Sequence, residues 1–224
     1  LNNIDLELLG EVAGKSILHL QCHFGQDSLS LARMGADVVG VDLSDESIKA
    51  ARILSEELGL NSEFVESDVL ELIGKLDRKF DIVFTSYGTI GWLPDLNQWA
   101  QVISHHLKPG GKFVFIEFHP VVWMFDSAFE KIEYSYFKAD PIVETTSGTY
   151  AEKDAAIEKT EISWNHGLAE VFGALEQNGL ILKRFDEFDY SPYDCFSGMK
   201  KLADRKCIIE KHGNKLPLVY SLVA

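Results

Sequence analysis

The first half of the chain alternates between two hydrophobic periodicities. Short apolar runs bounded by turn residues, typical of strands buried on both faces, lie at residues 16–21, 37–42, 62–66, 80–85 and 112–118. Between them, residues 26–34 and 45–58 have helical periodicity, the latter with Ser44 as its predicted N-cap. A further helix face is formed by Trp99, Val102, Ile103 and His106. Strands alternating with helices predict a parallel sheet covered on both faces.

The second half departs from this rhythm. After a predicted turn at residues 108–111 and the fifth strand, residues 119–165 are rich in aromatic side chains and show no clean helix. A later amphipathic helix is marked by Leu168, Val171, Phe172 and Leu175. Strands at 180–187 and 218–223 complete the sheet. We predict one doubly wound, Rossmann-like α/β domain over residues 1–224. Its seven-stranded sheet is mostly parallel, the last strand antiparallel, with an inserted lid at 119–165 after strand five.

Composition narrows the class of partner. The chain has 224 residues, a formal net charge of −14 and 46% hydrophobic residues. Nucleic acids and anionic membranes are polyanions, so neither is expected as the main partner. Cys22, Cys195 and Cys207 form no Cys-x-x-Cys pair, so we expect neither a disulfide framework nor a zinc cluster, and a cytoplasmic location. The sequence begins at Leu1 rather than methionine, which is compatible with further N-terminal residues.

Acidic residues at two predicted strand ends describe a nucleoside site. Ligands of open α/β sheets bind beyond the carboxyl ends of the strands. There Asp42 can accept both hydroxyl protons of a ribose, and Asp68 can accept a proton from an adenine amine. A pyrophosphate would need the G-x-G-x-x-G loop, whereas the loop after the first strand has only Gly25 and no nearby lysine or arginine. The predicted ligand is an adenosine derivative without phosphates.

Five sequence motifs follow one another along this half of the chain. They are ILHLQCHFGQDSLSLA, VVGVD, SDV, FDIVFTSYG and HLKPGGKFVF. In this order and at these spacings the chain resembles class I S-adenosylmethionine-dependent methyltransferases. Their first loop reads acid-x-Gly-x-Gly-x-Gly, and this chain has His19, Gln21, His23 and Gly25 at those positions. It is also similar to a subgroup of apparent small-molecule methyltransferases that carry an LQCHFGQD string.

The resemblance implies methyl transfer from S-adenosylmethionine to a small-molecule acceptor by in-line displacement. Alignment and water exclusion would supply most of the rate. The implied cofactor-binding residues are Gln21, Cys22, His23, Gly25, Gln26, Asp42, Leu43, Asp68, Val69 and Ser86. Gln21 and Gln26 would replace backbone contacts to the methionine end with amide hydrogen bonds.

The catalytic candidates are Tyr87, His119 and His166. Tyr87 lies where the family has residues beside the transferring methyl, and its surroundings lack the Asn/Asp-Pro-Pro-aromatic motif of nucleobase methyltransferases. A histidine suits a general base, and His119 is the first candidate. The structural alternatives are packing for Tyr87 and backbone hydrogen bonds for the histidines. Glu117, His119 and His166 have unremarkable spacing for a metal site, so no metal is predicted.

Other interpretations stay open at this point. The aromatic stretch from Trp123 to Tyr150 fills the core of the insert or forms a substrate lid, where tyrosines would attract a sulfonium cation. An NAD-dependent oxidoreductase shares the strand-end acids, although its loop requires the missing glycines. A catalytically silent module that binds S-adenosylmethionine also fits the degenerate loop.

Overall fold

A seven-stranded sheet forms the centre of the structure, a computed structural model that describes residues 1–147 and 158–224. The strands are β1 (Ser16–Leu20), β2 (Asp37–Asp42), β3 (Glu63–Glu66), β4 (Phe80–Ser86), β5 (Leu107–Phe118), β6 (Ile142–Ser147), β7 (Glu158–Ser163), β8 (Arg184–Phe188), β9 (Met199–Lys201), β10 (Cys207–Ile209) and β11 (Val219–Val223). The helices are α1 (Asn3–Leu9), α2 (Gln26–Arg33), α3 (Asp45–Glu57), α4 (Leu96–His106) and α5 (Leu168–Gln177).

The strand order in the main sheet is β3-β2-β1-β4-β5-β11-β8. Strand β1 pairs in parallel with β2 on one side and β4 on the other, while β11 runs antiparallel to both β5 and β8. The predicted doubly wound, mostly parallel α/β fold is therefore confirmed, including its antiparallel last strand. The strand order reverses at β1 and β4, which places a ligand crevice beyond their carboxyl ends.

Helices cover both faces of the sheet because each has one apolar stripe. Helix α4 buries Trp99, Val102, Ile103 and His106, the face expected from their spacing. Helices α4 and α5 pack on one side of the sheet, and α1 and α2 pack on the other. None of the helices in the described ranges is long and apolar enough to cross a bilayer.

Two predicted boundaries are wrong for identifiable reasons. Strand β5 begins at Leu107, because residues 108–111 form an irregularity inside the strand, where the register with β4 shifts. Strand β8 begins at Arg184 rather than residue 180, because its partner β11 ends at Val223, which pairs with Arg184. Ile181 and Leu182 therefore lie before the start of the strand, and both are exposed.

Two insertions lie outside the main sheet. The first contains an antiparallel pair, β6 and β7, within the predicted insert at 119–165; residues 148–157, with Tyr150, lie outside the described residues. The second separates β8 from β11 and contains the antiparallel pair β9 and β10, which the hydrophobic pattern did not predict. Both insertions follow carboxyl ends of sheet strands, so both border the crevice.

Candidate active site

The loop after β1 keeps an unusual backbone conformation. Gln21, His23 and Gly25 all have positive φ, at 53°, 51° and 70°. Gly25 then caps α2 in the left-handed region. These are the three positions that resemble the family's glycines, so the loop shape is present although two positions carry side chains. A left-handed non-glycine residue costs roughly 1–2 kcal/mol, so Gln21 and His23 store strain at this loop.

Position 25 requires glycine because of close packing as well as its positive φ. A Cβ added there would lie 2.6 Å from the ring of Phe64. A Cβ on Gly40 in β2 would lie 2.7 Å from the same ring and 2.9 Å from Cys22 Sγ. Cys22 is buried in this cluster, and burial raises the pKa of its thiol well above the ordinary value. Cys22 is therefore a packing residue of the loop rather than a thiolate.

The Asp42 carboxylate joins the first loop to the end of β2. Its Oδ2 accepts the His23 N–H at 2.8 Å, and its Oδ1 accepts the Ser44 N–H at 2.9 Å. Each carboxylate oxygen has about two acceptor sites, so each retains one for a ligand. Leu43 beside it is 70% exposed. A carboxylate next to an exposed apolar side chain fits a ribose and its base.

The remaining cofactor candidates lie on neighbouring strand ends. Asp68 accepts the Leu70 N–H through Oδ1 at 2.9 Å and so leaves Oδ2 for another donor. Val69 is buried in the core, and Ser86 ends β4, the neighbour of β1. Gln26 is exposed in the first turn of α2. The structure thus brings these residues to one end of the sheet.

Gln21 connects the first loop to the segment after β4. Its Nε2 donates to the Thr89 carbonyl oxygen at 2.9 Å, and its Oε1 is buried with no hydrogen-bond partner in the part of the chain that is described. A buried unpaired acceptor is costly unless a ligand supplies a donor. This orphaned oxygen is the structural observation that fits an amino-bearing ligand at the loop.

A buried carboxylate holds the segment after β4. Glu117, 2% exposed, accepts the N–H groups of Thr89 at 2.7 Å, Ile90 at 3.2 Å and Phe118 at 2.7 Å, and also that of Gly88. The Thr89 hydroxyl donates to it as well, at 2.9 Å. Burial raises the pKa of Glu117, and these donors oppose that rise. Glu117 is therefore the fixed point of the segment that carries Tyr87.

Tyr87 is fixed through the N-terminal helix. Its φ is 48°, and its hydroxyl accepts from Asn2 Nδ2 at 2.9 Å. Asn2 caps α1 in a reciprocal capping box with Asp5. Asp5 is buried with Oδ1 unpartnered among the described residues, and burial raises its pKa to about 6. Burial also raises the pKa of Tyr87 well above the ordinary value, so its hydroxyl stays protonated.

The two histidine candidates differ in how many of their ring nitrogens form hydrogen bonds. His119 Nε2 donates to Glu187 Oε1 at 2.9 Å, and its Nδ1 accepts the Val121 N–H at 3.2 Å. Burial lowers the pKa of His119, while Glu187 opposes that shift. His166 Nε2 donates to the Leu93 carbonyl oxygen at 2.9 Å, and its Nδ1 lies 3.1 Å from Glu170 Oε2. The His119 ring therefore has both nitrogens in hydrogen bonds, whereas His166 Nδ1 has no hydrogen-bond partner among the described residues.

His19 occupies the position of the family's acid in the first-loop pattern. It is buried against Phe84, with ring centroids 4.7 Å apart, and its Nδ1 lies 2.8 Å from Ser28 Oγ. Burial lowers its pKa to about 4, so the imidazole is neutral near pH 7. No group of three or more His, Cys, Asp or Glu side chains in residues 1–147 and 158–224 is placed to hold a metal ion.

Aromatic side chains from both insertions meet beyond β4 and β5. Phe196 of the second insertion packs against Phe118 at 5.0 Å and Trp123 at 5.6 Å between ring centroids. Tyr87 packs against Phe118 at 5.7 Å and against Tyr193 at 5.0 Å. We call these five residues the aromatic cluster. Trp123 and Tyr193 remain about 40% exposed, so the cluster presents open ring faces beside Tyr87.

A cavity of about 320 Å³ lies against the first loop. Cys22, His23 and Phe24 form one wall, and Asn2 and Tyr193 contribute from the N-terminal segment and the second insertion. Sequence reasoning missed Asn2, Tyr193 and the other residues of this insertion because only tertiary packing brings them here. The Asn2 and Asp5 capping pair was the one local signal, since its three-residue spacing indicates a helix start.

The fold is that of solved methyltransferases. An S-adenosylmethionine dependent methyltransferase from Mesorhizobium loti superposes with a TM-score of 0.64 at 18% identity, covering 97% of this chain and 93% of that chain. Geranyl diphosphate C-methyltransferase from Streptomyces coelicolor gives a TM-score of 0.63 at 15% identity, covering 99% of this chain and 76% of that chain. Likeness at these identities shows the fold.

Sequence comparison supplies the class. Residues 17–111 match the family model of a methyltransferase domain. The match therefore covers the stretch whose motifs resemble S-adenosylmethionine-dependent methyltransferases. The ubiquinone biosynthesis O-methyltransferases of Bordetella avium and Xanthomonas euvesicatoria are each 35% identical to it, over 47% and 50% of this chain and 43% and 48% of theirs. The matched part thus spans about half the length of these curated relatives.

Proposed function

We propose that this protein transfers a methyl group from S-adenosylmethionine to an oxygen of a small, flat molecule. The observation that carries the proposal is the left-handed first loop tied to Asp42, because it combines a carboxylate suited to a ribose with a loop that lacks the G-x-G-x-x-G pattern of pyrophosphate binding. The match of residues 17–111 to a methyltransferase domain supports it. The net charge of −14 and the three cysteines support a cytoplasmic enzyme with neither a nucleic acid nor a membrane as partner.

The residues present fit the cofactor. Asp42 would hold the ribose, Leu43 and Val69 would border the adenine, and Asp68 would accept from its amine. The methionine end would lie along Cys22, His23 and Gly25, with Gln26 and Ser86 at its edges. The buried Gln21 Oε1, which has no donor among the described residues, suits the ammonium group. When bound, S-adenosylmethionine supplies an electrophilic methyl group.

The chain's own contribution is alignment. Glu117 fixes the segment of Tyr87, and Asn2 fixes the Tyr87 hydroxyl, so the ring has one position beside the crevice. The aromatic cluster offers flat apolar contacts, which would exclude water from one face of a bound acceptor. Holding a nucleophile in line with its target supplies a large share of the rate in such reactions.

A general base has a limited part in this proposal. His119 stays our first candidate, but its Nδ1 must release the Val121 N–H before it can accept a proton. His166 donates through Nε2 to Leu93, and its buried Nδ1 lies 3.1 Å from Glu170 Oε2 without a hydrogen bond among the described residues. An acceptor whose hydroxyl ionises easily, such as a phenol, needs little help from a base. The relatives named as ubiquinone biosynthesis O-methyltransferases support an oxygen acceptor of this kind.

The proposal is tested by turnover with a panel of phenols. Purified protein is incubated with methyl-labelled S-adenosylmethionine and catechol or 3,4-dihydroxybenzoate, and label in the organic product is counted. We expect label transfer that requires the protein. Binding of S-adenosylhomocysteine with no transfer to any phenol, amine or thiol in the panel would instead support a silent binding module.

A further inference from the structure

The turn between β9 and β10 brings an arginine to the first loop. Asp204 and Arg205 both have positive φ, 60° and 57°, and the Leu202 N–H donates to the Lys206 carbonyl oxygen at 2.7 Å. The strands on either side pair from Lys201 to Cys207. A short turn with two left-handed residues is closed in one conformation, so the position of Arg205 is set by the hairpin.

Arg205 lines the same cavity as the first loop. The cavity of about 320 Å³ has Cys22, His23 and Phe24 on one wall and Arg205 on another. Among the residues that line this cavity, Arg205 contributes the cationic side chain and Asp27 contributes the carboxylate. Its charge also reaches the cavity wall, because it opposes the burial that raises the pKa of Tyr193 to about 12.

The guanidinium of Arg205 forms no ion pair or hydrogen bond with the residues that the structure describes. Neighbouring cations are engaged: Lys200 pairs with Glu210, Lys201 pairs with Asp194, and Lys206 lies 4.3 Å from the ring centroid of Tyr190. None of the ion pairs within residues 1–147 and 158–224 involves Arg205. In a chain with a net charge of −14, an anionic ligand gains most from a cation that is still free.

We propose that Arg205 binds a ligand carboxylate in this cavity, so that the β9–β10 hairpin forms one wall of the active site. The inference rests on the proposed function and names a residue outside the family's motifs. A guanidinium matches a carboxylate with two parallel hydrogen bonds. Two ligands could provide that carboxylate: the methionine end of the cofactor or a carboxylate-bearing acceptor.

The test is calorimetric titration of the wild type, Arg205→Gln, Arg205→Lys and, as control, Lys206→Gln. The first probes are S-adenosylhomocysteine and 5′-methylthioadenosine, which lacks the amino-acid end. If the cofactor supplies the carboxylate, Arg205→Gln weakens S-adenosylhomocysteine binding about 10- to 100-fold and leaves methylthioadenosine unchanged. Arg205→Lys should recover part of the loss, and Lys206→Gln should match the wild type.

The second arm tests the acceptor. Protein saturated with S-adenosylhomocysteine is titrated with 3,4-dihydroxybenzoate and with catechol, which lacks the carboxylate. If the acceptor supplies the group, Arg205→Gln removes the preference for 3,4-dihydroxybenzoate over catechol and leaves cofactor affinity intact.

The outcomes separate the two proposals. If the wild type binds S-adenosylhomocysteine and Arg205→Gln alters neither arm, the role of Arg205 is overturned while the proposed function stands. If the wild type binds no S-adenosylhomocysteine at all, the proposed function itself fails. A melting temperature within a few degrees of the wild type for each variant assigns any loss to binding rather than unfolding.

Discussion

The two sides of the crevice are built by different means. On the cofactor side, backbone N–H groups bind carboxylates: Asp42 holds the first loop, and Glu117 holds the segment after β4. On the side that we propose for the acceptor, the aromatic cluster meets through side-chain packing, and two of its members remain about 40% exposed. Backbone hydrogen bonds to a carboxylate fix a loop whatever its other side chains are, whereas a partly exposed ring cluster can be repacked.

Under the proposed function, this contrast would let one fold keep its cofactor while its acceptor changes. The first loop retains three positive φ values even though two of the three residues are not glycine. The proposed acceptor side, by contrast, depends on two insertions, and connecting segments in general tolerate changes of length and sequence better than the elements they join. We therefore expect substitutions on the cofactor side to cost stability and cofactor affinity together, and those in the aromatic cluster to change acceptor binding alone.

Glu117→Gln gives the largest expected effect. An amide offers one oxygen and places its N–H₂ against backbone donors, so several buried bonds are lost. We expect the free energy of unfolding to fall by about 3 kcal/mol, measured by urea denaturation. Glu71→Gln, at an exposed pair with Lys75, is the control and should lie within about 0.5 kcal/mol of the wild type. If Glu117→Gln were as stable as that control, the hydrogen bonds to Glu117 would not fix this side of the crevice.

Asp5→Asn tests the buried carboxyl beside Tyr87 through pH. Burial raises the pKa of Asp5 to about 6 from 3.8, so the folded state holds this proton more tightly than the unfolded state. The stability contribution is therefore present below pH 4 and lost as the pH rises through 6. Between pH 4 and 7, wild-type stability should fall by about 2 kcal/mol relative to Asp5→Asn. Asp77→Asn, an exposed substitution, controls for the loss of one carboxylate. A constant difference would contradict the burial.

Phe196→Leu tests the acceptor side. The smaller side chain loses ring contacts with Phe118 and Trp123. We expect the free energy of unfolding to fall by about 1 kcal/mol, a severalfold higher KM for a phenol acceptor, and unchanged affinity for S-adenosylhomocysteine. Phe137→Leu, at a ring that is 73% exposed, is the matched control. An equal loss of cofactor affinity in Phe196→Leu would show that the two sides are not separable.

His23→Gly has the smallest expected effect. Glycine relieves the strain of a positive φ, and it also loses more entropy on folding. We expect His23→Gly to exceed His23→Ala in stability by about 1 kcal/mol, measured by urea denaturation, because alanine keeps the strained backbone. Equal stability of the two variants would indicate that the loop relaxes when the side chain is removed.

The sequence predicted the regions where local pattern decides structure. The buried strands, the helix face of Trp99 and Ile103, and the antiparallel last strand follow from periodicity and turn residues. The start of β8 was misplaced because strand length depends on where its partner β11 ends. Tyr193 and Arg205 were missed as site residues because they reach the first loop from about 170 or more positions away, which no local pattern records.

We propose that Asp42 holds an adenosine cofactor without phosphates, and calorimetric titration distinguishes this cofactor from a dinucleotide. Wild type, Asp42→Ala and the exposed control Asp45→Ala are each titrated with S-adenosylhomocysteine and with NAD. We predict that S-adenosylhomocysteine binds and NAD does not. Asp42→Ala should lose about 1–3 kcal/mol of affinity, while Asp45→Ala should match the wild type. Binding of NAD alone, or unchanged affinity in Asp42→Ala, would contradict the account.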